Sequence, residues 1–163
     1  METIRNLYRI GRGPSASHTI GPVRAAQRFL AANEGAASYR VQLYGSLAAT
    51  GRGHLTDVAL EKTFGSRKLA IEWYPGTVQP RHTNAMKFGA FDGTGRLTAE
   101  WMAYSVGGGA IVDDSGRNET NDIYPHENMS DILDYCDRKG ITLWQYVVRS
   151  EEHTSELQSH LNL

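Results

Sequence analysis

The sequence has one cysteine, Cys136, among its 163 residues, and this scarcity excludes an internal disulfide and a cysteine cluster built by this chain alone. No apolar run approaches the roughly 18 to 20 residues that a membrane-spanning helix needs, and the first residues lack the apolar core of a secretory signal. An excess of one charge is also lacking, because 17 Lys and Arg face 18 Asp and Glu. This balance offers no electrostatic footprint for nucleic acid or an anionic membrane. We therefore expect a soluble, cytoplasmic globular protein.

Glycine, in contrast, is abundant, at 17 of 163 residues, where about 7 % is usual. The glycines gather beside histidine, serine and asparagine in short segments, notably 11–19, 51–54 and 107–109. Because glycine has no Cβ, its backbone N–H can approach a ligand closely. These segments are candidate cradles for a small molecule.

Alternating and capped segments predict a chain of mixed α and β structure. Residues 38–43 alternate apolar and polar side chains, which is typical of a half-buried strand. Gly21 and Pro22 open a helix that we expect to end near Asn33. The other predicted elements are helix 55–64, strand 68–74, a hairpin of strands 86–91 and 96–106, a short strand 110–112, a surface loop 113–122 and helix 130–139. Paired strands with helices between them predict an α+β domain with a small mixed or antiparallel sheet packed against helices.

Two capping signals predict a pair of helices near the end of the chain. Gly140 follows helix 130–139 as a helix-terminating glycine, and residues 142–145, TLWQ, match a capping box that starts the next helix. We expect the apolar side chains of Trp144, Tyr146 and Val147 to be exposed.

The last residues need separate treatment. The string RSEEHTSELQSH at residues 149–160 resembles the in-frame translation of a widely used sequencing-adapter oligonucleotide. We therefore expect one domain over residues 1–148 and an artefactual tail over residues 149–163, which is set aside for fold and function. The alternative is an ordinary solvated helix.

Three histidines occupy compact, turn-forming segments: His18, His54 and His82. Histidine is the usual side chain for moving protons near neutral pH, and loops are where scaffolds place functional groups. The structural alternative is that each histidine caps a turn or satisfies a partly buried polar group.

Four motifs follow one another between residues 10 and 109. They are IGRGPSASHTIGP at 10–22, YGSLAATGRGHLTD at 44–57, HTNAMKF at 82–88 and YSVGGG at 104–109. In this order they resemble the β domain or β subunit of the iron–sulfur L-serine dehydratases (L-serine ammonia-lyases). One position departs from that family's pattern, because Ala16 stands where its first loop usually has a serine.

The resemblance implies a β-elimination that converts L-serine to pyruvate and ammonia. In this family the leaving hydroxyl is taken by the open iron of a [4Fe-4S] cluster, which acts as a Lewis acid. Such a cluster needs three protein thiolates, whereas Cys136 is expected as a buried apolar side chain. The resemblance therefore implies that an α domain or subunit, absent from this sequence, holds the cluster. We expect the helix pair from Ser130 onward to lead towards it, with Trp144, Tyr146 and Val147 as the contact.

The resemblance also implies roles for individual residues. His54 is taken as the base for the Cα proton, with Asp57 as its orienting carboxylate. His82 and Asn84 are taken as polar contacts to substrate, with Asn84 suited to a carboxylate or an ammonium group. His54 and His82 could exchange roles.

Two further segments complete the implied site. A hydroxyl- and amide-rich loop before a helix N-terminus favours the substrate carboxylate; its residues are Ser15, Ser17, His18 and Thr19. Gly107 and Gly108 would let the backbone approach the same region. The implied partners are L-serine and the α part, with a dimer expected and no nucleic acid or membrane.

An alternative function is serine sensing, since the β domain resembles the allosteric substrate-binding domain of some phosphoglycerate dehydrogenases. A sensing module would need Ser15, Ser17 and Asn84 but no base.

A third possibility is a mononuclear metal hydrolase. The residues that it would use are His18, His54, His82 and Asp57. No His-x-His or His-x-x-x-His spacing supports such a site, and we expect no metal bound by this chain.

Overall fold

The computed structural model describes residue 11, residues 13–115 and residues 123–161, with side chains as far as residue 152. A five-residue π-helical turn, Ala16–Ile20, leads into the first α-helix. The elements are α1 Gly21–Ala32, β1 Ser38–Tyr44, α2 Gly45–Thr50, α3 Thr56–Phe64, β2 Leu69–Tyr74, β3 Ala85–Phe91, β4 Leu97–Gly107, β5 Ala110–Asp113, α4 Met129–Lys139 and α5 Leu143–Leu161.

The five strands form one mixed sheet in the order β2-β1-β3-β4-β5. β1 and β2 are parallel, and every other neighbouring pair is antiparallel. The predicted alternation in β1 is confirmed, because Tyr39, Val41 and Leu43 are buried. The predicted α+β class with a small mixed sheet is likewise confirmed.

A hydrophobic core joins one face of the sheet to the first three helices. α1 contributes Phe29, α2 contributes Leu47 and α3 contributes Leu60, and these side chains join one cluster with Val41 and Phe88 of the sheet. Burying such side chains stabilises each by roughly 1.5–3 kcal/mol relative to exposure. The core therefore holds α1, α2 and α3 at defined places on the sheet.

The topology brings several loops to one edge of the sheet. β1 ends there and continues into α2, and the parallel strand β2 ends at the same edge. β3 runs antiparallel to β1 and therefore begins there, whereas β4 ends there before it turns into β5. The predicted motif residues 44–57, 82–84 and 105–109 all lie at this edge.

The two C-terminal helices form a small unit of their own. Gly140 ends α4 with a φ of 60°, and the capping box is confirmed, since Thr142 and Gln145 exchange hydrogen bonds of 2.9 and 3.4 Å. Cys136 is buried in this unit, as predicted. Trp144 is 65 % exposed, also as predicted.

Two predictions for this unit are wrong. Val147 was expected to be exposed, but it is half-buried against the cluster that contains Tyr146. Tyr146 was expected at an exposed surface, but it is only 4 % exposed. Its ring contacts those of Tyr124, Tyr135 and His126, and its hydroxyl lies 2.8 Å from the Nδ1 of His126. Tyr146 is buried because α4 and the segment before it supply an aromatic partner set that helical periodicity alone does not show.

Contacts divide the chain into two compact units, Arg9–Glu119 and a second formed by Met1–Tyr8 with Thr120–Leu163. The backbone of α5 continues as helix through residues 149–161, so the tail assignment stays a prediction. Part of the predicted loop 113–122 lies outside the described residues. In the part of the chain that the structure describes, no helix is long and apolar enough to cross a membrane.

Candidate functional site

The segment before α1 is a tight turn rather than an open loop. The N–H of Thr19 donates to the Ser15 carbonyl at 2.9 Å, and the Thr19 hydroxyl donates to the same oxygen at 2.6 Å. Thr19 is buried, so its hydroxyl supports the turn. Single π-helical turns are frequent at functional sites.

Hydroxyl groups surround the imidazole of His18. Its Nδ1 lies 3.0 Å from the Oγ of Ser17 and 3.3 Å from the Oγ of Ser15. Its Nε2 lies 2.9 Å from the Oγ1 of Thr50. The Thr50 hydroxyl donates its own proton to the Ser46 carbonyl at 2.9 Å. Because that proton is committed, the Thr50 oxygen accepts from His18, and Nε2 carries the hydrogen of the neutral ring.

His18 is a buried, neutral histidine beside a second imidazole. Burial lowers the pKa of His18 below its ordinary value; a backbone hydrogen bond with Ser46 opposes this shift, and nearby His54 adds to it. The ring centroids of His18 and His54 are 4.5 Å apart. With both ring nitrogens engaged by the protein, His18 supports its neighbours, and its predicted contact with substrate stays a prediction.

His54 is held by the end of α2. Its Nδ1 lies 2.9 Å from the backbone carbonyl of Thr50, and its own N–H donates to the same oxygen at 3.2 Å. A carbonyl only accepts, so Nδ1 carries the ring hydrogen and Nε2 keeps the lone pair. Within the described chain Nε2 has no hydrogen-bond partner. His54 is thus built as a proton acceptor at Nε2.

The predicted role of Asp57 as the orienting carboxylate of His54 is wrong. Its Oδ1 accepts from the N–H of Val58 at 2.9 Å. Asp57 lies in the first turn of α3, where free backbone N–H groups attract a carboxylate. The Thr50 carbonyl takes the orienting role instead.

The ring of His82 accepts a hydrogen bond at Nδ1, whereas the ring of His54 donates one there. The Nδ1 of His82 accepts from the backbone N–H of Asn84 at 3.0 Å. In the neutral ring Nδ1 therefore has no hydrogen, and Nε2 is an N–H donor. His82 and His54 share no hydrogen bond or ring contact within the described residues.

Two buried polar atoms lack a hydrogen-bond partner in the described chain. They are the Oδ1 of Asn84, in the loop of His82, and the Oγ of Ser105, on β4. The amide of Asn84 donates to the Ser105 carbonyl at 3.5 Å, which leaves its oxygen as the unused acceptor. An unsatisfied buried acceptor is costly, so a donor supplied by a ligand would stabilise it. Of the two groups considered for Asn84, an ammonium group fits this need and a carboxylate does not.

Ser105 also explains the glycine at position 21, near the end of the first motif. A Cβ on Gly21 would lie 2.2 Å from the Oγ of Ser105. The start of α1 can therefore pass closely over β4 only with glycine at this position. The first and fourth motifs meet at this contact.

Gly107 ends β4 and Gly108 begins the turn into β5, with φ of 111° and 55°. Both are exposed at the same sheet edge. Their predicted approach to substrate stays a prediction.

The structure brings most of the predicted residues into two groups. The first contains Ser15, Ser17, His18 and His54, and the second contains His82 and Asn84. The loop of His82 and Asn84 is joined to the start of α2, the helix whose end holds His54, because the N–H of Ser46 donates to the carbonyl and hydroxyl oxygens of Thr83, at 3.2 and 3.0 Å. The groups thus lie on adjoining loops of one edge.

Sequence reasoning missed Thr50 and Ser105 as members of this site. Both lie inside the recognised motifs, and Thr50 precedes His54 by four residues, a spacing that a helical end brings into contact. No signal in the sequence distinguishes Ser105 from an ordinary strand serine.

The described residues do not fit an iron–sulfur cluster. Cys136 is the single cysteine of the chain and is buried among Tyr124, Ile132 and Tyr146. Nor do the described residues contain a group of three or more His, Cys, Asp or Glu that could hold a metal ion.

The comparisons with known proteins all point to one family. A family model described as "Serine dehydratase beta chain" matches residues 3–65 and 62–116. An L-serine dehydratase of Mycobacterium tuberculosis is 32 % identical, over 91 % of this chain and 42 % of the relative. The L-serine dehydratase of Haemophilus influenzae is 29 % identical, over 93 % of this chain and 43 % of the relative. L-serine dehydratase 1 of Escherichia coli is 26 % identical over the same shares, 93 % and 43 %. The chain spans less than half the length of these relatives.

Proposed function

This chain belongs to the serine dehydratase β-chain family, and from that membership we propose that it is the β part of an L-serine ammonia-lyase. It supplies substrate-binding and proton-transfer groups for the conversion of L-serine to pyruvate and ammonia. The observation that carries the proposal is the arrangement of His54, whose Nδ1–H is bound to the Thr50 carbonyl and whose Nε2 is left as a base.

The reaction requires a base at the Cα of L-serine. The lone pair on Nε2 of His54 takes the Cα proton, and the electron pair of the Cα–H bond forms the Cα–Cβ double bond as the β-hydroxyl leaves. The departing hydroxide takes up one proton and leaves as water, which balances the proton that His54 removed from Cα and returns to solvent. The aminoacrylate product then tautomerises, and its imine is hydrolysed by water to pyruvate and ammonia.

Polar groups on the neighbouring loop bind the substrate. The Nε2–H of His82 donates to an acceptor of L-serine, for which the carboxylate is suited. The Oδ1 of Asn84 accepts from the ammonium group. Ser15 and Ser17, on the turn before α1, present further hydroxyls to the substrate.

The leaving hydroxyl also needs an electrophile, which the described residues of this chain do not hold. Family resemblance assigns it to a [4Fe-4S] cluster bound by cysteines of an α domain or subunit. The share of the relatives that this chain leaves uncovered is long enough for such a part. Exposed Trp144 on α5 is our candidate contact with it, and a dimer of the whole enzyme is expected.

Reconstitution tests the proposal. Purified without oxygen in the presence of iron and sulfide, this chain alone should bind no cluster and form no pyruvate from L-serine. Addition of its cognate α part should produce both the visible absorbance of a cluster and pyruvate. The control is Cys136→Ala, which should leave iron per enzyme unchanged because the thiol is buried among Tyr124, Ile132 and Tyr146 of its own unit.

Two outcomes would contradict the proposal. Pyruvate formation by this chain alone would show that it holds a complete active site. Tight L-serine binding by the assembled protein without any pyruvate would instead favour the serine-sensing function.

A further inference from the structure

One residue contacts both histidines of the first group. Thr50 is the last residue of α2 and is exposed. It uses its backbone carbonyl for one imidazole and its hydroxyl for the other, at 2.9 Å in each case.

The backbone carbonyl of Thr50 sets the tautomer of His54. The oxygen accepts from the N–H of His54 and from its Nδ1, so the backbone and the ring are fixed by the same atom. The ring cannot turn its Nδ1 toward solvent without breaking its hydrogen bond to this oxygen. The lone pair therefore stays on Nε2.

The side-chain hydroxyl of Thr50 sets the tautomer of His18. The Thr50 hydroxyl donates to the Ser46 carbonyl and accepts from Nε2 of His18. On the other side of the ring, Ser17 lies within hydrogen-bond distance of Nδ1. The chain of donors thus runs in one direction, from His18 through Thr50 to Ser46.

The two imidazoles are close enough for a charge on one ring to act on the other. At a centroid separation of 4.5 Å, a positive His18 would oppose the positive charge that His54 gains when it accepts a proton. A neutral His18 carries no such cost. Burial, which lowers the pKa of His18, acts in the same direction.

We propose that Thr50 is a positioning residue that fixes the tautomers of His18 and His54 together and so keeps Nε2 of His54 as the base. The proposal rests on the proposed lyase function for its catalytic consequence. The tautomers themselves are properties of this chain and can be measured without a partner.

The first experiment reads the tautomers in the full chain labelled with ¹⁵N-histidine, using long-range ¹H–¹⁵N spectra at neutral pH. The expected result is Nε2–H for His18 and Nδ1–H for His54. Thr50→Val removes the hydroxyl and keeps the carbonyl, so it should shift His18 away from Nε2–H and leave His54 as Nδ1–H. Thr50→Ser should restore the wild-type spectrum.

The matched control is Thr63→Val. Thr63 makes the same kind of helical contact as Thr50, with its hydroxyl donating to the carbonyl four residues earlier at 2.8 Å, but it contacts no histidine within the described residues. This variant should leave both tautomers unchanged. Loss of a helix-bound hydroxyl by itself is thereby separated from loss of the contact with His18.

The second experiment measures kcat and KM after reconstitution with the α part. Thr50→Val leaves the tautomer of His54 unchanged but frees the ring of His18, which lies against His54. A base whose neighbouring ring is displaced is held less accurately, so kcat should fall by roughly tenfold with little change in KM. Thr50→Ser and Thr63→Val should remain close to the wild type.

Each part of the proposal can be overturned. An Nε2–H tautomer for His54 in the wild type, or an unchanged His18 in Thr50→Val, would overturn the structural part. Altered spectra with an unchanged kcat would overturn the catalytic part. If the wild-type pair forms no pyruvate, the proposed function fails, while the spectra still decide whether Thr50 fixes the tautomers.

Discussion

The imidazole of His54 donates from Nδ1 to a backbone carbonyl, whereas the imidazole of His82 accepts at Nδ1 from a backbone N–H. The two rings lie on adjoining loops of one sheet edge and belong to the same residue type. Their hydrogen bonds nevertheless leave different groups at Nε2, a lone pair on His54 and an N–H on His82. The backbone partner decides which histidine can act as a base.

The two loops also differ in what supports them. The loop of His54 is tied to the rest of the site, through Thr50 to His18 and through the Thr56 hydroxyl, which donates to the His18 carbonyl at 2.7 Å. The hydrogen bond of His82 stays within its own loop, two residues along the chain. A change at His54 should therefore be felt in catalysis, and a change at His82 in binding.

The strongest test of this comparison is His54→Ala in the reconstituted enzyme. A general base contributes roughly 10²–10⁴-fold, so kcat should fall by at least about two orders of magnitude, with iron per enzyme unchanged. The measurement is kcat and KM with L-serine and with Cα-deuterated serine. Added imidazole should restore part of the activity.

If His54→Ala kept a near-normal kcat while His82→Ala lost it, His82 would be the base and the assigned roles of the two histidines would be exchanged. If both variants kept it, the histidines would be structural and the serine-sensing function would gain support.

A smaller effect is expected at His82. Loss of a charge-assisted hydrogen bond costs about 1.5 kcal/mol or more, so His82→Ala should raise KM by roughly tenfold and change kcat less. The matched variant is His82→Asn, because an asparagine side chain can accept from the N–H two residues on and so retain the loop. If His82→Asn binds L-serine as well as the wild type, the ring supports the loop and does not contact substrate.

The smallest effect concerns the stability of the chain as the pH changes. The pKa of His18 is lowered in the folded state from 6.5, so below about pH 6.5 the unfolded chain binds a proton that the folded chain does not. The free energy of unfolding should therefore fall as the pH drops through this range, and level off once His18 protonates in the fold.

Urea unfolding of this chain between pH 8 and pH 5 measures the effect, with His18→Gln as the variant that cannot titrate. The variant should show a shallower decline. If it is too unstable to measure, an NMR titration of His18 in the wild type replaces it, and a midpoint at or above 6.5 would contradict the prediction.

Much of the fold could be predicted because its signals are local. The alternation of β1, the hairpin of β3 and β4, the end of α4 at Gly140 and the capping box at residues 142–145 each depend on a few neighbouring residues. Helix α2 was not predicted, because six residues rich in small side chains carry little periodicity, and its place depends on Leu47 packing into the core. The burial of Tyr146 was not predicted for a related reason, since it depends on aromatic partners elsewhere in the chain.

The sequence by itself determined the family, the α+β class and the loops that carry the candidate site residues. These features follow from motifs and from patterns of neighbouring residues, which need no tertiary contacts to be recognised. Only the tertiary structure decided that Thr50 rather than Asp57 orients His54, and that His54 and His82 present opposite groups at Nε2. The tautomer of a histidine is set by the one partner that reaches its other ring nitrogen. That partner is chosen by how α2 ends and how the loop after β2 turns, which residue types alone do not specify.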